Sequence, residues 1–280
     1  MILPFLSKKA QVSIFIITGM IILLFIAALV YTQKQGEFET QKKQVSKTEN
    51  GDSVSLFVTA CLQKEMENGL IVLSSQGGYY HLPPQSFESS EGLLPYYFNT
   101  NNSMQRSLSQ KTFEEQLGLY ILDNLPNCFR NFSSFPEKKI SIISEEKYAD
   151  IFADISADIS ADVTLSNEGV ITKLSYPLVI LDNNKKESLQ FFTTIIPVNA
   201  LKLIEVSKQY LDAQMKNQEG IPLDSVVYLK EKYDISLSVL FIEENAILTF
   251  SDETIKVENT PLSFRFAVKY NVTRQNVSEE

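Results

Sequence analysis

Twenty consecutive residues without a charge, Val12 to Tyr31 (VSIFIITGMIILLFIAALVY), constrain this chain more than any other feature. At about 1.5 Å rise per residue, a helix over this stretch covers roughly 30 Å, the thickness of a bilayer's hydrocarbon core. A helix packed in a soluble core carries a polar stripe, and this one has none. Tyr31 closes the segment with an interfacial aromatic. A cleaved secretory signal has a shorter apolar region, roughly 7–15 residues, followed by a small-x-small site. Here Ala27-Ala28 lies inside the apolar run instead. The segment reads as one transmembrane helix in contact with membrane lipid through residues 12–31. Lys8 and Lys9, beside the short N-terminal tail, predict a cytoplasmic N-terminus and an extracytoplasmic remainder.

Charge and composition narrow what that remainder does. Residues 1–31 hold two of the 25 basic side chains and none of the 34 acids, so the rest of the chain carries a net −11. A surface of that sign repels phosphate backbones, which argues against a nucleic-acid partner. The chain has one histidine, His81, two cysteines and no tryptophan. Zinc sites draw three or four ligands mostly from Cys and His, so no metal or other cofactor is expected. A Ser-His-Asp arrangement could run only through His81, which sits in a Gly/Tyr/Pro-rich stretch without a nucleophile elbow and reads as a turn residue.

The junction Lys8-Lys9-Ala10-Gln11-Val12-Ser13-Ile14-Phe15-Ile16-Ile17 resembles the class III, type IV pilin-like signal sequences of archaeal surface proteins. The resemblance implies cleavage between Ala10 and Gln11 by a prepilin-type peptidase, with the anchor retained. Many pilins carry Glu at the fifth mature position, where it pairs with a neighbouring subunit. Phe15 stands there instead, so the resemblance supports anchoring more than filament assembly. Cys61-Leu62-Gln63-Lys64, Gln76-Gly77-Gly78-Tyr79-Tyr80 and Leu125-Pro126-Asn127-Cys128 are similar to segments of a group of uncharacterised single-pass proteins from small-genome archaea.

Beyond the anchor, the pattern predicts an α+β ectodomain of about three helices and an antiparallel meander sheet. Its parts are a cytoplasmic tail (1–11), the transmembrane helix (12–31), a juxtamembrane linker (32–51), a helical and loop-rich part (52–138), a strand-rich part (139–271) and a polar tail (272–280). A first helix begins at Asp52 or Ser53 and keeps Val54, Phe57, Val58, Cys61, Leu62, Met66, Leu70 and Leu73 on one face until Gly77-Gly78. An irregular loop then runs through Ser109. Thr112 to Glu115 reads as a capping box for a second helix ending at Pro126, with Cys128 just beyond.

Ala-Asp-Ile recurs at 149–151, 153–155 and 157–159, and Ala161-Asp162-Val163 follows. As a helix this stretch would stack four Asp at i, i+4, so a strand over 149–163 is favoured. Asp residues four apart in a strand lie about 13 Å from each other, too far to share a calcium ion. Strands at Val170–Leu181, with an edge or bulge at Pro177, and at Ser188–Ile196 follow. Asn199 caps a third helix stopped by Gly220-Ile221-Pro222. Strands at Ile235–Ile242, Ala246–Phe250 and Leu262–Tyr270 close the domain, the first two joined by Glu243-Glu244-Asn245.

On the outer side of a membrane, Cys61 and Cys128 would form a disulfide if the two helix ends meet; otherwise they are two buried thiols. Sequons occur at Asn101, Asn131, Asn271 and Asn276 and are compatible with glycosylation. The functional expectation is a non-enzymatic, membrane-anchored extracytoplasmic protein with a structural or binding role at the cell surface, its partner an envelope protein or a glycan. A pilin-like filament subunit is the alternative. A hydrolase built on paired carboxylates is the third reading, because such a pair needs neither His nor Cys.

Overall fold

The computed structural model describes residues 52–90, 92–100, 104–106, 108–142, 159–182, 185–218 and 220–270. The anchor segment, the Ala10–Gln11 junction, the sequons at Asn101, Asn271 and Asn276, and Asp150, Asp154 and Asp158 lie outside them. Among the described residues no helix is long and apolar enough to cross a membrane.

The chain forms α1 (Asp52–Ser75), β1 (Ser86–Ser89), β2 (Gly92–Asn99), β3 (Met104–Gln105) and α2 (Gln110–Phe129). Next come β4 (Lys139–Ile142), β5 (Ser160–Leu165), β6 (Val170–Asp182) and β7 (Lys185–Ile196). Then follow α3 (Ala200–Lys216), α4 (Leu223–Tyr233), β8 (Ser236–Ile242), β9 (Asn245–Val257) and β10 (Thr260–Lys269). This is an α+β fold with two sheets. One has the order β1-β2-β10-β9-β8, with β3 also on β2; in the other, β4, β5 and β7 all pair with β6. Because β7 pairs along the whole of β6, β4 and β5 share its opposite edge, one on each half.

α1 carries the core. Val54, Val58, Cys61, Leu62, Met66, Leu70 and Leu73 are all buried, and the helix packs against α2, β10, β9 and β7. One continuous apolar cluster runs from Val54 to Tyr270, joining the helical and strand-rich parts that the sequence divides at 138/139. α1 ends where Gly77 and Gly78 take positive φ (61° and 87°) and the Gly78 N–H returns to the Leu73 carbonyl at 2.7 Å.

Five expectations are corrected. The stretch through Ser109 is not an irregular loop: it holds β1, β2 and β3, and β2 runs parallel to β10, so the sheet is no pure antiparallel meander. Pro95 is tolerated in β2 because pairing with β10 starts only at Tyr96. α2 is capped by Ser109, whose hydroxyl accepts the Thr112 N–H, rather than by a box at Thr112; Glu114 instead accepts the Leu165 N–H from β5 at 2.8 Å. Pro126 lies inside the last turn instead of ending the helix, its lost hydrogen bond outweighed by the burial of Leu125 and Phe129 around it. A fourth helix, α4, follows Pro222; Leu229 is its one buried residue, and the exposed Leu223, Val227 and Tyr228 blur its apolar face. Finally, β9 runs seven residues past Phe250, through the polar stretch that begins Ser251-Asp252-Glu253-Thr254.

Other expectations hold. Asn199 caps α3 by accepting the Lys202 N–H at 3.1 Å, β6 has a register shift between Ser175 and Leu178 around Pro177, and Glu243–Glu244 turns β8 into β9. The described end of the Ala-Asp repeat, Ser160–Leu165, is a strand antiparallel to β6.

Asp252 explains the extension of β9. Its side chain is 4% exposed, pairs with the Lys202 ammonium on α3, and accepts from the Thr254 N–H and hydroxyl. Burial opposes its charge, but Lys202 and Thr254 together hold its carboxyl below the ordinary value. The pair's contribution is therefore complete above the unfolded value of 3.8 and disappears as pH falls through the lower folded one. Asp252→Asn should lower stability at neutral pH and flatten the loss below about pH 4, read by denaturant titration across pH. Replacing Cys61 and Cys128 together with Ala should cost about 4 kcal/mol for a closed loop of 67 residues, in the chain-entropy account of such bridges.

Candidate functional site

The two cysteines lie where α1 passes the last turn of α2. Cys61 and Cys128 are joined as a disulfide with Cα atoms 5.7 Å apart. Phe57, one turn before Cys61, meets Phe129, Phe132 and Phe135 with ring centroids 5.4–6.3 Å away. This end of the domain is a packed aromatic cluster. Asn131, in the turn after α2, is exposed with a φ of 53°, so its sequon is accessible.

The Tyr79–Tyr97 region is packed as well. The Tyr97 hydroxyl donates to the Gly77 carbonyl at 2.7 Å, and the Arg106 guanidinium stands 5.8 Å above the Tyr79 ring. The Gln116 carbonyl oxygen accepts the N–H groups of both Tyr80 and His81 at 2.9 Å. His81 itself is 64% exposed, tilted against the Tyr80 ring at 4.4 Å and 4.0 Å from Asp123, which is the geometry of a surface turn residue. Disulfide and tyrosines thus belong to packed core and surface.

A concave feature lies elsewhere, in the elbow between α3 and α4. It is an open groove of about 690 Å³, within the size range of small-ligand sites. Asp212 and Lys216 on α3, Asn217 after it, and Asp224, Ser225 and Tyr228 on α4 supply its polar and aromatic walls, with Ile221, Pro222 and Leu223 between. Nothing in the sequence reading named it. The signals were the Gly-Ile-Pro break and the acidic start and basic end of the following eleven residues, which mark a short helix folding back on α3.

Gln214 holds the elbow. Its side chain is fully buried and uses all four of its hydrogen bonds. Its oxygen accepts from the Tyr210 hydroxyl at 3.0 Å and the Tyr270 hydroxyl at 2.7 Å. Its nitrogen donates to the carbonyls of Asn217 at 2.7 Å and Gly220 at 2.9 Å, which clamps the floor of the groove. Burial drives both phenols above their ordinary range, so they stay protonated donors. At the far end, Gln209 donates to the Tyr233 oxygen at 2.7 Å, and the Lys232 ammonium lies 5.2 and 4.8 Å from the Tyr228 and Tyr233 rings. The Gln209 bond, with Lys232, lowers the Tyr233 phenol below its usual value. Among the described residues, no hydrogen bond or ion pair engages the side chains of Asp212, Asn217, Asp224 or Ser225, and no three His, Cys, Asp or Glu side chains gather as a cation site.

Gln214→Leu should strand two buried phenols and two carbonyls and cost about 2–4 kcal/mol in denaturant unfolding. Asp212→Asn, on the groove wall, should change stability by less than about 0.5 kcal/mol. Compared with protein-family models, curated proteins and solved structures, the chain matches none of them.

Proposed function

We propose that the chain is a membrane-anchored extracytoplasmic protein with a binding or structural role at the cell surface, its described domain offering the α3–α4 groove to an envelope partner. The observation that carries this reading is the Cys61–Cys128 bridge in a chain that also holds a twenty-residue uncharged segment. Stable disulfides belong to oxidising compartments, and the apolar segment supplies the means of staying at their boundary. The chain commits both of its cysteines to the bridge, as a domain built for the outside does.

The groove's chemistry suits holding a ligand. Its walls offer acceptors, an amide, a hydroxyl and an aromatic face, and hold no histidine or cysteine. Neutral binding also agrees with a net charge of −9, which disfavours polyanions.

Protease treatment of intact cells producing the chain tests the topology. The membrane fraction should contain the protein, and external protease should remove the domain while cytoplasmic markers survive. N-terminal sequencing of that material should begin at Gln11. A soluble or protease-protected domain would contradict the anchored, outward reading, and a retained Met1 would remove the processing step.

A further inference from the structure

We infer that the α3–α4 groove is a binding site for a neutral saccharide, an assignment that rests on the surface-binding reading above and gives it a ligand class. Four features of the groove converge on this chemistry. First, it is an open trough of about 690 Å³, which fits a segment of a longer chain better than a ligand that must be engulfed.

Second, its free polar groups are the kinds that bind vicinal hydroxyls. The carboxylates of Asp212 and Asp224 accept two hydrogen bonds side by side, the Asn217 amide both donates and accepts, and the Ser225 hydroxyl does either. These side chains are unengaged, whereas the buried amide of Gln214 beneath them is fully satisfied.

Third, the trough has an apolar side for the C–H face of a sugar ring. Tyr228, 55% exposed, lines the groove, as do Leu223 and Ile221. An aromatic ring in this position gives contact area at little entropic cost and keeps its hydroxyl in water. The Lys232 ammonium lies 5.2 Å from the centre of the Tyr228 ring.

Fourth, the charge balance selects against charged ligands. Among the described residues, two carboxylates and one ammonium, Lys216, line the groove, in a chain of net −9. Uronate-rich or sulfated chains meet repulsion there. A cationic peptide meets Lys216 at the site and finds no enclosed acidic pocket. What remains is a polyhydroxylated, uncharged ligand, bound by hydrogen bonds around an aromatic contact.

The test uses the full chain in a non-glycosidic detergent, since a maltoside headgroup would itself compete. Calorimetric titration with neutral hexose and N-acetylhexosamine oligomers should give binding with a Kd of about 1 mM or tighter for at least one of them. Tyr228→Ala and Asp212→Asn should each weaken that binding about tenfold or more, with the unfolding midpoint unchanged. No binding of any neutral oligomer at about 10 mM would overturn the assignment. So would binding untouched by both substitutions, or stronger binding of a uronate oligomer or an oligolysine peptide. Protease shaving of the producing cells separates the two levels. A surface-exposed chain that binds no saccharide loses only the ligand class, and a chain absent from the membrane loses the reading beneath it as well.

Discussion

The burial of α1 is the constraint on which the domain depends. A helix on a protein surface needs one apolar face, but α1 meets α2 on one side and strands of both sheets on others, and it buries apolar side chains along six turns. Each such Leu or Val contributes roughly 1.5–3 kcal/mol relative to exposure, so this one helix supplies a large part of the driving force. Met66 shows how it joins the sheets: fully buried at the middle of α1, it receives the Thr172 hydroxyl of β6 at 2.9 Å. Gly118 shows how tightly α2 is drawn in. A Cβ there would stand 2.7 Å from the Ala161 carbonyl oxygen of β5, so only glycine lets helix and strand approach. The disulfide ties α1 to the last turn of α2 within this frame.

Around that apolar centre, a few polar side chains decide where the chain turns. Gln116 holds the exit from α1 by accepting two successive N–H groups, and Asp252 ties β9 to the first turn of α3 through Lys202. Gln214 ties the α3–α4 elbow to both the helix and the end of β10. Gln214 and Asp252 are buried and satisfied, which is what makes a buried polar group specify a geometry at little net cost. Ser207 differs: buried on α3, its hydroxyl has no hydrogen-bond partner among the described residues. The groove is thus the by-product of a satisfied floor and a short helix that keeps Leu223 and Tyr228 exposed along it.

Much of this was legible in the residues. The apolar spacing of α1, the Asn199 cap, the Pro177 bulge and the Glu243–Glu244 hairpin follow from side chains acting on their own neighbourhood. The misses share a cause: tertiary partners that overrode a local signal. Pro126 reads as a helix end but sits in a last turn braced by buried Leu125 and Phe129, and the stretch through Ser109 reads as a loop although its Pro95 precedes the pairing with β10. Asp252 and Glu253 read as the end of a strand until Lys202 is placed beside Asp252. α4 was hidden because exposed Leu223, Val227 and Tyr228 interleave with the inward Val226, Leu229 and Tyr233 and blur the apolar face, and the groove was hidden with it. The Cys61–Cys128 pairing was readable as a possibility, and only the packing of α1 on α2 brings the two sulfurs together.

The fold and the anchor segment meet in one chemical claim: the domain lives in an oxidising compartment. Trapping thiols with an alkylating reagent at the moment of lysis, followed by peptide mass spectrometry, tests that claim most directly. The account predicts that native protein yields the Cys61 and Cys128 peptides linked and unalkylated. Both peptides recovered separately, each carrying the reagent, would mean a reduced cytoplasmic domain and would contradict it.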